Sequence, residues 1–498
     1  MSLIDNIKVT DTTPVIAVDP LVDRADTLKK RQRNIKFRSR EEYNNWKLVY
    51  SFWNQAISDS AISESRKQRY TDHEFYDGDQ WTSEDIRLLE ERNQSAYVFN
   101  EVKSAIDWLT GAEKQHRVDY KVLSREADGL RDADAKSNLL KYLADVNKEG
   151  HARSHAFKDA VVSGLGWVEV GIQDDPNEER LFCRYVDWRD IYHDPHSRDP
   201  YLTDARYLHR LLWLDIDIAT ALFPDSAVAL MSHSATDGYD VGISFAGDDQ
   251  VTSEVNSIGS FYGAVDATAR TRVCIKVTWY KVPVVCKVFK GDGIGRLNGM
   301  VYDDKNEDHV IIYESGFADV VQTYRMQTRV MYWVGETVLL DMKSPYRHNR
   351  FPFVPFVGFR KFKDGSFYGV VRGLRDAQED LNKRRSKALY ILSTNKVLAD
   401  GTAAWEGDWQ KFSEELASPD GIMLKKPGTE IQLIRENEIA EQHLTLMMHD
   451  AEFIEKHSGV SGESMGRETN AESGRAILAR QAQGNVINME FFDNLRLA

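Results

Sequence analysis

Three patterns of apolar and polar positions alternate along the chain, and each predicts a different kind of element. From Glu41 to about Gln68, Tyr43, Trp46, Tyr50 and Trp53 recur at spacings of three and four, which places four aromatic rings on one face of a helix. Such a face predicts a stripe turned toward a core. Asn100 stands where it can cap a second helix, in which Val102, Ala105, Ile106 and Leu109 share a side, and Leu139, Leu140, Leu143 and Val146 predict a third. After Gly164 and Gly166 the period shortens to two. WVEVGI, the acidic turn DDPNEE and RLFCRYV together read as a β-hairpin, so the first domain is expected to be α+β.

Residues 224–270 are rich in Ser, Asp, Gly and Ala and poor in apolar runs, which predicts a loosely packed surface excursion. Strand character returns in RVCIKVTWYKV. Between Val284 and Lys343 the strand-like CKVFK, a helix candidate in EDHVIIYESGFADVV, and strands in YRMQTRVMYWV and TVLLD predict a compact α/β insertion. FPFVPFVGFRKF, Phe351 to Phe362, contains Pro352 and Pro355; proline has no amide to donate, so this is an extended segment and not a central strand. From Phe367 to about Asn395 there is no proline, and Val371, Leu374, Gln378, Leu381, Arg385, Ala388 and Leu392 mark a long helix. Two further helices are expected over about 436–457 and 471–497. The first presents Ala440, Leu444, Met447, Ala451 and Ile454 on one side, with Gly459 placed to end it. The second follows Asn470 and meets no stop signal before Ala498, so the natural chain is expected to continue.

A length of 498 residues changes this picture into one of two to four domains, at roughly 100–200 residues each. Charges interrupt every apolar stretch well before the roughly 18 residues a membrane helix needs, and the N-terminus has no apolar core with a cleavage site. No membrane span and no signal peptide are predicted, and the protein is expected inside the cell where it is made. Cys183, Cys274 and Cys286 are too far apart for a thiolate zinc site and are expected to be reduced. A net charge of −14 disfavours DNA binding over the whole surface, because such binding needs Lys and Arg to replace phosphate counterions. Residues 1–40, with the basic run Lys29, Lys30, Arg31, Arg33 and Lys36, read as an arm.

Candidate chemistry is sparse. GESMG, Gly462 to Gly466, has the spacing of a hydrolase nucleophile elbow but follows a helix where that turn needs a strand. GDGIGRLNG, 291–299, has neither the glycine spacing of a dinucleotide loop nor the Lys-Ser or Lys-Thr of a P-loop. His151 and His155 share a helical face without a carboxylate partner. His193, Asp194 and His196 sit among Asp-Pro turns, and DDKNEDH, 303–309, puts His309 where a calcium loop demands glycine. No catalytic residue, metal site or cofactor is predicted, and the chain is expected not to be an enzyme.

Several segments, taken in order, resemble the portal proteins of short-tailed bacteriophages: EFYDGDQW (74–81), VFNEVKSAIDWLTGAEKQHRVDYKV (98–122), YVDWRDIYHDPHSRDPYLTDARYLHR (185–210), the proline-rich run from 351 to 389, and GVSGESMGRETNAESGRAILARQAQGNVINMEFFDNLR (459–496). The resemblance implies a dodecameric ring at one capsid vertex of the virion, assembled in the host cytoplasm. Its architecture would be wing, stem, clip and crown, with long helices around a central channel. It divides the chain into an arm (1–40), a wing with its surrounding α+β domain (41–283), a clip (284–344), stem and tunnel helix (345–397), a connector region (398–435) and the start of a helical crown (436–498). Implied partners are the terminase, which would supply the energy of translocation, tail adaptors, capsid and scaffolding proteins, and double-stranded DNA passing without sequence readout. In a ring, Arg372, Arg375, Lys383, Arg384, Arg385 and Lys387 would face that DNA; in a monomer the same residues, interleaved with Asp376, Glu379 and Asp380, make a solvated face. In the clip, Tyr302, Asp303, Asp304, Tyr324, Arg325, Arg329 and Trp333 mix aromatic anchors with both charges, as binding surfaces do, although Tyr324 and Trp333 fit a core equally well. The alternative is a structural capsid or tail protein without a channel.

Overall fold

The structure, a computed structural model, describes residues 37–498 except 116, 118–120, 125–128, 174–175, 235–271, 292–297, 305, 394–395, 400–408, 411–426, 435–436 and 461–488. The expected arm, GESMG, and most of 224–270 and of 398–435 lie outside the described residues. Among the described residues no helix is long and apolar enough to cross a membrane.

Two helices come first among the described residues, α1 (Arg40–Ser58) and α2 (Ser60–Asp77). Asp59 separates them and caps the second, its Oδ1 accepting from the amides of Ala61 and Ile62 at 3.0 Å. Thr82 caps α3 (Ser83–Glu90), and Asn100 caps α4 (Glu101–Gln115) by accepting from the Lys103 amide at 2.9 Å. On α4 the expected core face forms, with Val102, Ala105, Ile106 and Leu109 buried. On α5 (Leu130–Val146) the apolar stripe does the opposite: Leu139, Leu140 and Val146 are exposed. The aromatic stripe of α1 divides in two. Trp53 is buried against Tyr192, His209 and Trp333, while the exposed Tyr50 and Tyr43 stack along Trp46.

The helix α6 (Glu149–Ser163) ends at Gly164, whose φ of +93° is the left-handed conformation glycine adopts cheaply. Here the main chain is packed so closely that a Cβ on Gly164 would lie 2.3 Å from the Tyr368 amide nitrogen. The expected hairpin follows as β1 (Leu165–Ile172) and β2 (Leu181–Val186), then β3 (Ile191–His193) and β4 (Tyr207–Asp215). The short helices α7 (Ile216–Leu222) and α8 (Ala227–Ser234) come next, so the start of the expected excursion is helical and buries Leu230. Then come β5 (Arg272–Lys290), α9 (Glu307–Glu314), β6 (Asp319–Val334), β7 (Thr337–Lys343), β8 (Phe353–Val357) and the small pair β9 (Phe359–Arg360) and β10 (Phe367–Tyr368). The chain closes with α10 (Val371–Ser393), the pair β11 (Lys396–Ala399) and β12 (Ile431–Ile434), α11 (Asn437–Ser458) and α12 (Met489–Leu497).

Two sheets and a helical layer share the core. The three-stranded sheet has the order β2-β1-β8, which leaves the proline-bearing β8 at an edge where a missing amide costs least. The five-stranded sheet has the order β3-β4-β5-β6-β7. The sheets bury Trp167, Leu208, Ile275, Trp279 and Val330 between them, while α1 covers the five-stranded sheet through Phe52, Trp53, Tyr207 and Trp333. A third cluster joins α4, α6 and α10 through Ile106, Val161 and Leu374. The α+β class expected from the pattern is therefore what the chain adopts.

β5 and β6 are paired from Lys276↔Trp333 out to Lys290↔Asp319, whereas β4 accompanies β5 no further than Tyr280. Beyond that point the two strands run on as a ribbon. Pro283 sits where the change occurs: the Lys281 amide still donates to the Arg206 carbonyl at 2.9 Å, and two residues on, facing the same side, proline has no donor to lose. The ribbon ends in a module of its own, where α9 covers Phe289 and Ala318 together with Tyr302, Ile312 and Val320. The expected insertion at 284–344 is thus too long at its C-terminal end. Val330, Met331, Tyr332, Trp333 and Val334 are buried in the body sheet and β7 pairs beside them, while Val321, Tyr324 and Met326 of the same strand are exposed.

Candidate functional site

The candidate basic helix is α10, and its buried side is polar as well as apolar. Gln378, Asn382 and Ser386, four residues apart, lie one above another on the face that meets the extended segment before α4. Gln378 Oε1 accepts from the Glu101 amide at 3.1 Å and its Nε2 donates to the Phe99 carbonyl at 2.7 Å. Asn382 Oδ1 accepts from the Phe99 amide at 2.9 Å and its Nδ2 donates to Gln80 at 2.6 Å; Ser386 Oγ accepts from the Tyr97 amide at 3.2 Å. Three side chains on one helix thus do for an extended backbone what a neighbouring strand would do. In the sequence Gln378 reads only as a member of the helix stripe; the signal for the ladder is three hydrogen-bonding residues at four-residue spacing, Gln378, Asn382 and Ser386, along its edge.

The six basic residues fall into three environments. Arg372 and Arg375 converge on Asp72 of α2, Nη2 of Arg372 at 2.6 Å and Nε of Arg375 at 3.4 Å, and Asp72 is wholly buried. Burial raises the Asp72 pKa, and the hydrogen bond and charge of Arg372 followed by the charges of Arg375 and Arg69 oppose that rise. Arg384 and Arg385 are half-buried. The Nε of Arg384 reaches Asp380 at 2.7 Å and Asp450 of α11 at 3.4 Å, tying two helices together, and the Arg385 guanidinium lies 3.5 Å from the centre of the Phe99 ring. Lys383 and Lys387 are exposed. Lys383 pairs with Glu379 one turn back, and that hydrogen bond raises its pKa.

The candidate surface on the ribbon also sorts by burial. Trp333 is a core residue: it has no exposed surface and its Nε1 donates to Thr278 Oγ1 at 2.9 Å. Arg329 is held by Asp341 through two nitrogens, at 3.2 and 3.0 Å, at the foot of the ribbon. Tyr302 is half-buried in the terminal module, edge-on to Phe289 with centroids 5.4 Å apart. Asp303, Asp304, Tyr324 and Arg325 are exposed, with Asp304 3.5 Å from Lys287. Tyr324 is 73% exposed and stands directly across from Val285, which is 64% exposed. Ile311 and Phe317, at 63% and 61%, add to an apolar surface that the sequence reading missed, because apolar residues on strands and helices read as core until their partners are known.

The remaining motifs among the described residues resolve into ordinary structure; GESMG and 292–297 of GDGIGRLNG lie outside them. Asp194 accepts from the amides of His196 at 2.9 Å and Arg206 at 3.0 Å, which makes RDIYHDPHSRDP a closed turn. In DDKNEDH the His309 ring accepts from the Asp303 amide at 3.1 Å. His151 and His155 are exposed on α6, and the three cysteines are free thiols. Among the described residues no group of three or more His, Cys, Asp or Glu is arranged to hold a metal ion.

A portal protein of Helicobacter pylori bacteriophage KHP30 is 18% identical over 421 residues, which cover 82% of this chain and 57% of that protein, so the chain spans little more than half its relative's length. The profile of the phage P22-like portal protein family matches residues 54–498, nearly the whole chain. The chain belongs to the P22-like family of phage portal proteins.

Proposed function

We propose that the chain is the ring-forming subunit of a portal, twelve copies of which enclose a channel at one capsid vertex of the virion. Double-stranded DNA enters through that channel during packaging and leaves through it on ejection. The observation that carries this reading is the family match over 54–498. On it, 1–40 is an arm, 41–283 the wing and surrounding domain, 345–397 stem and tunnel, 398–435 a connector and 436–498 the start of the crown. The clip is the ribbon, 284–327, its base being part of the body sheet. The role is structural, with translocation driven by the terminase; assembly takes place in the host cytoplasm with capsid and scaffolding proteins.

Within the ring, Lys383 and Lys387 are the residues of α10 best placed to meet DNA, since their ammonium groups are exposed and the four arginines are committed elsewhere. Two such contacts per subunit suit a conduit, because many strong phosphate contacts would hold the DNA in place. The clip docks the terminase and later a tail adaptor through Tyr324, Arg325, Asp303 and Asp304 around the apolar surface of Val285, Ile311 and Phe317.

The ribbon can be tested by itself because its strands are neighbours at every level. Replacing Val285–Tyr324 with Asn-Gly joins the cross-strand pair Val284 and Arg325 through a two-residue turn and leaves the body sheet intact. The expected result is rings of normal appearance that no longer bind terminase or adaptor. Normal binding by such rings would contradict the clip assignment.

A further inference from the structure

The ribbon formed by the outer halves of β5 and β6 has two edges, and they are not alike. Thr328 sets the phase of β6: its amide donates to Asn349 Oδ1 at 2.7 Å and its carbonyl accepts from the Ser344 amide at 2.9 Å, both on the side away from β5. With a period of two, the main-chain groups of Met326, Tyr324, Gln322 and Val320 point the same way. Asn349 reaches the Met326 carbonyl at 2.6 Å, and β7 pairs with β6 no further out than Arg329. From the Met326 amide outward to Val320, no hydrogen-bond partner faces this edge among the described residues.

The β5 edge is open over a shorter stretch. Its outward groups belong to the odd-numbered residues, since the Lys281 amide is the one bonded to Arg206. β4 covers this edge as far as Tyr280; at the tip the Phe289 amide donates to the Met300 carbonyl at 3.0 Å and the Lys287 carbonyl accepts from the Tyr302 amide at 2.8 Å. Between these closures lies Val282–Cys286, where Pro283 offers a carbonyl and Val285 both an amide and a carbonyl. Proteins blunt open edges with proline, lysine, a bulge or a cover, because a row of unpaired amides and carbonyls is a template for another strand. Val320–Met326, VVQTYRM, has no proline, glycine or lysine and a single charge, Arg325, and it pairs with β5 without a break in register. Val321, Tyr324 and Met326 are exposed, as are Val284 and Val285 of the facing strand. A two-stranded ribbon with apolar residues on its surface gains stability from a further strand.

We propose that the open edge of β6 takes the open edge of β5 from a second copy of this chain, joining the ribbons into one belt around the channel. The proposal rests on the ring reading above. Three features select a second copy as the occupant. The open stretches match in extent, seven residues on β6 and five on β5. They lie on opposite edges of one ribbon, so each copy offers one edge to each neighbour, the head-to-tail arrangement that a ring requires. Adjacent copies of a twelve-fold ring differ by a rotation of about 30°, so the next β5 arrives nearly in its own direction and antiparallel to β6, as inside the ribbon. The belt would hold about twenty-four strands, roughly 115 Å around at ~4.8 Å per strand. Barrels of about sixteen to eighteen strands already enclose an aqueous channel. The pairing uses main-chain groups and leaves the side chains of Val285, Tyr324 and Arg325 on the faces of the ribbon.

The test is hydrogen exchange of the full chain at single-amide resolution, compared between rings and dissociated protomers. The amides of Val320, Gln322, Tyr324 and Met326 should exchange at least about tenfold more slowly in the ring, while those of Val321, Thr323 and Arg325, which face β5, are slow in both. Gln322→Pro removes an outward amide that the protomer leaves unpaired, so the dissociated variant should melt with the native chain, and the protection at 320, 324 and 326 should be lost from its rings. Thr323→Pro removes an inward amide and should loosen the ribbon even in the protomer. Rings whose outward amides exchange as fast as the protomer's, or whose protection survives Gln322→Pro, would overturn the pairing and leave the ring reading standing; a chain that forms no rings would overturn both. Protection that appears only when terminase or tail adaptor is added would assign the edge to a strand of that partner and would also overturn the proposal.

Discussion

At the scale of single residues, the buried carboxylate of Asp72 on α2 holds two arginines of α10. Arg372 and Arg375 read as part of a charged helix face because nothing local distinguishes them from Lys383 and Lys387; their partner Asp72 lies 300 residues away for Arg372. Replacing Asp72 with Asn removes the buried carboxylate that two half-buried guanidiniums share and should destabilise the chain in a denaturant titration by at most about 3–5 kcal/mol, the cost of breaking a fully buried pair. A second buried acid, Asp159, accepts from the Tyr185 hydroxyl at 2.6 Å, and burial pushes its pKa from 3.8 to about 7. The folded state therefore holds a proton that the unfolded chain has lost, and this contribution to stability falls as pH rises from about 4 to about 7. His73, His193 and His209 act in the opposite direction. Burial brings them from 6.5 to about 4, 3 and 3, so the unfolded chain takes up protons first and stability is lost as pH falls below about 6.5. The Asp159→Asn variant isolates the acid: its melting temperature should exceed that of the native chain by much more at pH 8 than at pH 4.5. A difference that does not change with pH would mean the carboxyl is ionised throughout.

At the scale of elements, periodicity made most helices and the first hairpin legible, because a buried face must repeat with the geometry of its own element. It did not say what covers a face. The stripe on α5 is exposed in the protomer, and the outer aromatic residues of α1 stack on one another in place of a core. Nor did it separate the two halves of β6, one in the body sheet and one in the ribbon, since apolar residues on a strand look alike whether a sheet or a partner lies against them. The ladder on α10 was out of reach for a related reason: its acceptors are backbone groups of another segment. Replacing Gln378 and Asn382 together with Ala would strand the Phe99 amide, at about 1–3 kcal/mol, and leave the Glu101 amide and the Phe99 carbonyl with only their mutual bond at 3.0 Å. Hydrogen exchange should then show residues 97–101 opening while α11 stays protected. Gly164→Ala should also destabilise, through both the positive φ and the Tyr368 main chain 2.3 Å from the new methyl group.

At the scale of the whole molecule, the ordered set of motifs resembles the family that the profile match shows, and the fold positions most of them, residues 461–488 of the last motif lying outside the described residues. The ribbon stands clear of the body with apolar residues on its surface, and α10 is set into the helical layer with two lysines outward. Charge reversal at Lys383 and Lys387 tests the channel role without touching a buried group: packaging should decline and the defect should vary with salt, while assembly persists. A double variant that packages normally would remove these lysines from the account. The claim on which the rest depends is closure into a ring, since head-to-tail contacts that fail to close build filaments. Electron cryomicroscopy of the purified protein at micromolar concentration tests it most directly: the account predicts closed rings of twelve copies around a central channel, and monomers or open filaments would contradict it.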